Sequence, residues 1–156
     1  TISDATRTWL AALPERSVRG DFSLVHGSPL APVWEYVTSA PVAAANLAEL
    51  ERRGERHGLR GHTHAPAVWR EDGGGVRLTV PQAGGSAALG GQTSLLNPGS
   101  VGQPRDGDPR AAFAVLDLAA GTCEWHRTAY DIPAVQAAMT AAALPRWLVT
   151  RLAVGQ

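Results

Sequence analysis

Two histidines separated by one residue, His62 and His64, stand in the segment GLRGHTHAPAVW at positions 58–69. Gly61 precedes the pair and Pro66 follows it, and both residue types disfavour a helix there. On an extended segment, residues i and i+2 face the same side with their Cβ atoms about 6 to 7 Å apart. Imidazoles at that spacing can reach two points a few ångströms apart, which suits a site for two metal ions. An exposed turn with two incidental histidines is the alternative that this pattern leaves open.

A third histidine, His26, ends a predicted strand over 22–25 and precedes a Gly-Ser-Pro turn. Strand ends of α/β sheets are where functional groups gather, and neutral imidazole is a usual ligand of zinc, manganese and iron. His26, His62 and His64 could together hold a single zinc ion. Two divalent ions would also need carboxylates, and no acidic residue in the chain stands at an obvious ligand spacing. We expect the three imidazoles to meet.

The elements that position these histidines are of mixed type, which predicts an α/β fold. Helices are predicted over 4–13, over 41–57 with Gly58 as its stop, and in two pieces over 132–156 that are broken at Pro145. Strands are predicted over 22–25, 76–80, around 93–97, and over 111–118 and 123–130. His57 is placed in the last turn of the second helix, as a surface residue. The single cysteine, Cys123, is predicted to be a buried, inert thiol.

Composition excludes several classes of function. The 156 residues suffice for one domain with its own core, and the formal net charge of zero gives no strong nucleic-acid signal. All 14 basic residues are arginine. No apolar run reaches the roughly 18 residues of a membrane span. No signal peptide is evident, so we expect a cytoplasmic protein without a membrane partner.

Three segments carry a resemblance to a known family. In order, LVHGSP, GHTHAP and LLNPGSVGQPRDGDPRAAFAVLD resemble the later motifs of the calcineurin-like metallophosphoesterases. The nearest branch is similar to the small bacterial and archaeal phosphodiesterases of the YfcE-like type, and the likeness extends over nearly the whole chain. Because the three motifs occur in the family's order, an exposed turn with two incidental histidines becomes the less favoured interpretation.

The resemblance implies a β-sandwich flanked by helices, which is a four-layer fold. It also implies an enzyme that hydrolyses phosphodiesters or small phosphomonoesters. By this likeness His26 and His62 would bind one divalent ion and His64 a second, with manganese, iron, zinc and nickel as the candidates. The two ions would polarise the phosphoryl oxygens and activate a water that attacks phosphorus in line.

The loop from 97 to 110 is expected to complete the part of the site that this chain carries. We expect Asn97 and Ser100 to shape its floor and Arg105 to touch a small phosphate-ester substrate through its guanidinium fork. The alternative is an ordinary surface loop in which Arg105 forms ion pairs with Asp106 and Asp108.

The chain departs from the family pattern in its first part. The family's earlier motifs are an Asp-x-His, a Gly-Asp with the bridging Asp, and an Asn-His-Asp/Glu with the general acid; none occurs here. We therefore predict that residues 1–156 are the C-terminal portion of one metallophosphoesterase domain, an incomplete copy lacking its N-terminal strands. The catalytic residues stay unknown, and the chain alone is expected to be inactive. Either the missing portion or a homo-oligomeric partner is expected to cover its exposed face.

Two further functions stay open at this stage. One is a metallophosphoesterase-like fold that has lost its carboxylates and serves as a non-catalytic binding or interaction module. The other is a single-zinc site formed by the three histidines. Acyl-transfer chemistry has little support, because no Gly-x-Ser-x-Gly elbow occurs.

Overall fold

The computed structural model describes residues 2–156, which contain both helices and strands. The helices are α1 (Asp4–Ala11), α2 (Ala40–Arg52), α3 (Ile132–Ala141) and α4 (Arg146–Thr150), followed by a 3-10 turn (Arg151–Ala153). The strands of the first half are β1 (Arg16–Arg19), β2 (Phe22–Val25), β3 (His57–Leu59), β4 (Ala67–Asp72) and β5 (Gly75–Thr79). Those of the second half are β6 (Ser86–Ala88), β7 (Ser94–Asn97), β8 (Ala111–Asp117) and β9 (Thr122–Thr128).

The strands form two sheets. The larger sheet has six strands in the order β1-β2-β3-β7-β4-β5, and the smaller has three in the order β6-β9-β8. The central strands β2, β3 and β7 run parallel, so their carboxyl ends meet at one edge of the sheet. The outer strands pair antiparallel with their neighbours.

Both faces of the larger sheet are buried, because successive side chains of a strand point to opposite sides. Leu95 belongs to the cluster that includes Leu47 and Leu50 of α2, whereas Leu96 belongs to the cluster that includes Cys123 and Trp125 of the smaller sheet. Each fully buried leucine stabilises the fold by about 2 kcal/mol relative to an exposed one. Helix α2 on one face and the smaller sheet on the other hold the edge of the larger sheet at which β2, β3 and β7 end.

The predicted fold class is confirmed: this is a mixed α/β fold whose sheets are flanked by helices. The strand over 22–25, the strand predicted over 76–80 (β5), the β8–β9 pair and the helix break at Pro145 lie where they were predicted, within one or two residues. Cys123 is buried as expected, and burial raises the pKa of its thiol to about 11. No helix within residues 2–156 is long and apolar enough to span a bilayer.

The placement of His57 is wrong in the sequence prediction. Helix α2 ends at Arg52, and His57 begins β3, where it is 3% exposed. The Nδ1 atom of His57 is 2.8 Å from the hydroxyl of Ser94, and its ring packs against Phe22 with centroids 5.0 Å apart. Burial, followed by the charge of Arg70, lowers the pKa of His57. The residue is therefore a neutral part of the core.

A buried neutral histidine predicts acid sensitivity. Because the pKa of His57 is lower in the folded chain than in the unfolded one, its contribution to stability is fully present above the unfolded value of about 6.5. That contribution is lost as the pH falls from there through the folded pKa, with a slope of at most about 1.4 kcal/mol per pH unit. We expect the urea midpoint to fall between pH 7.5 and pH 5, and to fall less steeply in His57→Phe. If His57→Phe left the pH dependence of the urea midpoint unchanged while the control His126→Phe altered it, this assignment would be wrong.

Candidate metal centre

His26 and His62 meet at the carboxyl ends of two neighbouring parallel strands. His26 directly follows β2, and His62 lies three residues beyond β3. The amide of Gly61 donates to the carbonyl of His26 at 3.0 Å, which joins the two segments. The Nδ1 atom of His62 is 2.8 Å from Nε2 of His26, with the ring centroids 4.6 Å apart. Two imidazoles separated by 36 positions in the sequence thus present nitrogens to the same point.

This nitrogen pair fits a divalent metal ion. Zinc-type ions bind imidazole nitrogen at about 2.0 to 2.1 Å, so two ligands of one ion at angles of about 90° to 110° lie about 2.9 to 3.4 Å apart. The observed 2.8 Å is close to the lower bound. The other ring nitrogen of His62, Nε2, is buried without a hydrogen-bond partner.

His64 lies beside this pair but does not complete it. Its Nδ1 atom is 2.7 Å from the carbonyl of Gln103, a contact that orients the ring and leaves Nε2 for a ligand. The amide of Arg105 donates to the His64 carbonyl at 3.1 Å. Within residues 2–156 no three His, Cys, Asp or Glu side chains are grouped so that they could hold a metal ion. The arrangement therefore does not favour a single-zinc site of three histidines.

The backbone around the histidines is not extended, in contrast to the prediction. His62 and His64 both have positive φ values, 64° and 58°. This left-handed conformation is uncommon for residues other than glycine and is strained, so the surrounding structure must hold it. The two rings are therefore placed by a tight loop and not by the alternation of a strand.

Asn97 holds this loop in place. It ends β7 and is fully buried. Its Nδ2 atom donates to the carbonyl of Gly61 and to the hydroxyl of Thr63, both at 2.8 Å, while its Oδ1 accepts from the amide of Gly99 at 2.9 Å. Thr63 stands between the two histidines, so one amide side chain fixes the segment on both sides of His62.

Ser100 supports the site from the neighbouring turn. Its hydroxyl accepts from the amide of Gln103 at 3.0 Å, and the Gln103 carbonyl in turn contacts His64. The carbonyl of Ser100 accepts from the amide of Ala112 at 2.9 Å, which ties the turn to β8. Asn97 and Ser100 thus lie beneath the histidine loop, where the sequence analysis expected the floor of the site.

The His26 side is held by residues that the sequence analysis missed. Ser28 donates to Glu35 at 2.5 Å, and Asn46 of α2 donates to the same carboxylate oxygen at 2.6 Å. Asn46 also accepts from the amide of Leu30 at 2.9 Å. A Cβ at Gly27 would lie 2.7 Å from a backbone oxygen, so only glycine fits there. This polar network fixes the turn that follows His26.

One exposed aromatic residue also contacts the centre and was not predicted. The ring of Tyr36 stacks on His62, with centroids 3.8 Å apart and an interplanar angle of 29°. The segment VWEYV, which contains Tyr36, shows no clear helical or strand period, so no sequence signal pointed to this contact.

The electrostatics of the centre are positive. Burial is the largest cause that lowers the pKa of His62, followed by the charge of His26; burial also leads for His64, where Arg105 contributes in the same direction. Both rings are thereby kept neutral, the form that binds metals. No carboxylate is among the groups that shift either pKa. Two divalent ions would therefore lack charge compensation from the described residues.

The basic loop residue Arg105 has no carboxylate partner among residues 2–156. Its guanidinium donates to the side-chain oxygen of Gln103 at 2.9 and 3.1 Å. The ion pairs proposed as the alternative for it form elsewhere: Asp106 contacts Arg127, and Asp108 contacts Arg110 at 2.6 Å. The exposed guanidinium of Arg105 is thus free to meet an anion near the histidines.

The loops that carry these histidines fall within a recognised domain. Residues 6–121 match the model of the calcineurin-like phosphoesterase superfamily domain. The chain belongs to the calcineurin-like phosphoesterase superfamily. Members of this superfamily generally use divalent metals.

Two solved structures and one further protein are similar to this chain. A metallophosphoesterase from Sphaerobacter thermophilus superposes with a TM-score of 0.94 at 40% identity, over 99% of this chain and 63% of that one. An uncharacterized protein of Methanocaldococcus jannaschii is 32% identical over 99% of this chain and 62% of its own length. A hypothetical protein of Pyrococcus horikoshii shares the fold alone, with a TM-score of 0.70 at 18% identity, over 97% of this chain and 55% of that one. The chain therefore spans less than two thirds of the length of each.

Proposed function

We propose that this chain supplies the histidine half of a two-metal phosphoesterase site, with His26 and His62 as ligands of one divalent ion and His64 as a ligand of the second. The observation that carries the proposal is the 2.8 Å approach of His26 Nε2 and His62 Nδ1 in a chain of this superfamily. When bound, such ions supply Lewis acidity that polarises the phosphoryl oxygens and lowers the pKa of a water.

The residues of this chain then have separate tasks. The rings of His26, His62 and His64 offer lone pairs, and Asn97 keeps the last two in their strained conformation. The guanidinium of Arg105, which lacks a carboxylate partner, binds the anionic phosphate ester through paired N–H groups. The substrate class is a phosphodiester or a small phosphomonoester.

Carboxylates from outside the described residues complete this site in our proposal. Among the described residues no Asp or Glu joins these histidines in a group of three that could hold a metal ion, and divalent ions bind weakly where only neutral and cationic groups surround them. We therefore infer that residues 1–156 form the C-terminal portion of the domain, and that the general acid and the bridging carboxylate belong to an N-terminal portion or to a partner chain.

Exposed apolar surface supports the same inference. Helix α1 buries none of its residues, and its Trp9 is 62% exposed. Strand β8 is an edge of the smaller sheet, and its outward Phe113 and Val115 are 39% and 51% exposed. An unpaired strand edge next to apolar side chains is a pairing site for further chain.

The direct test is hydrolysis of bis(p-nitrophenyl) phosphate with Mn²⁺. The 156-residue chain alone is expected to remain at the buffer rate and to bind Mn²⁺ weakly. The same chain joined to an N-terminal portion that carries Asp-x-His and Asn-His-Asp motifs is expected to gain both hydrolysis and tight metal binding. Turnover by the 156 residues alone would refute the divided site, and no turnover in the joined chain would refute the enzyme.

A non-catalytic binding module is the second candidate. The absence of an acidic group near His62 and His64 among the described residues favours it, because such a centre cannot neutralise two ions. Equal, weak Mn²⁺ binding with and without the N-terminal portion would select this candidate.

A further inference from the structure

The connection between β2 and α2 presents two exposed aromatic side chains at the rim of the candidate metal centre. Trp34 and Tyr36 are 80% and 49% exposed, and Trp34 is the most exposed of the five tryptophans. Leaving so large an apolar side chain in water forgoes the free energy that burial would give. Exposure alone does not mark a site, because Trp9 and Trp147 are each 62% exposed. The position of Trp34 and Tyr36 distinguishes them.

Both aromatic residues approach the histidines that we propose as metal ligands. The ring of Tyr36 stacks on His62 with centroids 3.8 Å apart. A Cβ at Gly27, which directly follows His26, would lie 3.1 Å from the backbone nitrogen of Trp34. Burial and the charge of His26 lower the pKa of His62, and the backbone of Trp34 acts against that shift. Trp34 and Tyr36 therefore start beside the centre, and their exposed side chains extend from it into solvent.

The segment that carries the two rings is anchored on its inner side. Glu35 stands between them, and its carboxylate accepts from Ser28 at 2.5 Å and from Asn46 at 2.6 Å. Val37, the residue after Tyr36, is 2% exposed. Side chains that alternate between inside and outside share a face at every second position, so both aromatic rings lie on the side away from Glu35. A surface that is already ordered loses little conformational entropy when it binds a ligand.

A flat aromatic group fits this surface better than further protein chain does. Tryptophan and tyrosine bind planar rings by offset or edge-to-face stacking, and they stack on any nucleobase because every base has a π-face. Added chain would pair most readily with an open strand edge. Residues 26–39, between β2 and α2, contain no strand and so offer no such edge.

We propose that Trp34 and Tyr36 form an aromatic platform that stacks on a planar group of the substrate while its phosphate is held at the histidines. This inference rests on the proposed phosphoesterase function and narrows its substrate class to phosphate esters that carry a nucleobase or an aryl ring. Trp34, the more exposed of the two, determines the preference for such esters. Tyr36 forms the inner end of the platform, between Trp34 and His62.

The test compares the binding of two phosphonates to the N-terminally extended polypeptide, by calorimetric titration in the presence of Mn²⁺. One is the phosphonate analogue of adenosine monophosphate, and the other has a hydroxyl group in place of adenine. Neither is hydrolysed, because a carbon–phosphorus bond replaces the ester bond. We expect the adenine compound to bind about tenfold more tightly, which is a modest gain for one base stacked on an aromatic side chain. Equal affinities, or no binding of either compound, would overturn the proposal.

Variants of exposed tryptophans assign the preference. Trp34→Ala is expected to bring the two affinities within about twofold of each other without weakening the binding of the compound that lacks adenine. Trp34→Phe, which keeps a flat ring, should retain most of the preference. Trp9→Ala removes another exposed indole, from α1, and should leave the ratio of the two affinities unchanged. An adenine preference that persists in Trp34→Ala, as it would if further chain covered this residue, or that Trp9→Ala abolishes equally, would overturn the proposal.

These titrations need no turnover, so the two proposals can fail separately. Hydrolysis of bis(p-nitrophenyl) phosphate by an extended polypeptide that shows no adenine preference would refute the aromatic platform and leave the enzyme. An adenine preference that depends on Trp34, in a polypeptide that hydrolyses nothing, would refute the enzyme and support the platform as a binding site.

Discussion

Replacing His62 by alanine in the N-terminally extended polypeptide is expected to weaken Mn²⁺ binding by at least roughly a hundredfold and to remove phosphodiester hydrolysis. Loss of a residue that only orients a ligand already costs about 10- to 100-fold in metal affinity. His62 is proposed to be a direct ligand, and the substitution also leaves His26 without its 2.8 Å neighbour. Calorimetric Mn²⁺ titration and initial rates measure the two effects.

Two substitutions make this result specific. Arg105→Ala is expected to raise the KM for the phosphodiester by about tenfold or more while Mn²⁺ affinity stays unchanged, because its guanidinium meets the substrate and not the ions. His126 lies on β9 and is not among the proposed ligands, so His126→Ala should change neither the KM nor the Mn²⁺ affinity. An unchanged KM in Arg105→Ala would end its substrate role. Full Mn²⁺ affinity in His62→Ala would end the proposed ligand set.

The end of β2, and with it the position of His26, could be predicted from the sequence, whereas β3 was not predicted. Residues 22–25 are a short apolar run that stops at a Gly-Ser-Pro turn, and such punctuation is a strong local signal. Once β2 and β3 are parallel neighbours, the residues after each strand lie at the same edge. That much of the site follows from chain order and local pattern.

The end of α2 could not be chosen correctly from the pattern alone, because two glycines compete for it. The helix in fact ends at Arg52 and is closed by Gly54, which has a φ of 71° and whose amide donates to Glu51, while the amide of Glu55 donates to Leu50 at 2.9 Å. These two bonds form a Schellman motif. Because the closing glycine is Gly54 and not Gly58, His57 falls in a strand of three residues, which is too short for a period to show.

The loop conformation of the histidines also lay beyond local pattern. The rule that residues i and i+2 share a face assumes an extended backbone, and the positive φ values of His62 and His64 break it. That conformation is imposed by Asn97, which is more than thirty positions away in the sequence. Glu35 and Asn46, which hold the turn after His26, lie 7 and 16 positions from their partners Ser28 and Leu30. A single sequence does not show such partners.

Because Asn97 carries this conformation, Asn97→Ala is expected to lower the free energy of unfolding by about 3 kcal/mol. The substitution leaves the carbonyl of Gly61 and the amide of Gly99 without their partner, at about 1 to 3 kcal/mol for each buried group. Thr63→Val removes one acceptor and should cost about 1 kcal/mol. Urea unfolding of the 156-residue chain, followed by circular dichroism, gives both values.

The same substitution separates a positioning role from a purely structural one. If Asn97 holds His62 and His64 in their strained conformation, Asn97→Ala in the extended polypeptide should weaken Mn²⁺ binding by about 10- to 100-fold under conditions where the protein remains folded. Gln92→Ala removes an exposed hydrogen bond to the carbonyl of Glu71 and should change neither stability nor metal affinity by a measurable amount. Wild-type Mn²⁺ affinity in folded Asn97→Ala would show that the loop keeps its shape without this amide, and the strain would then have to be held by the contacts of Gln103 and Arg105 with His64.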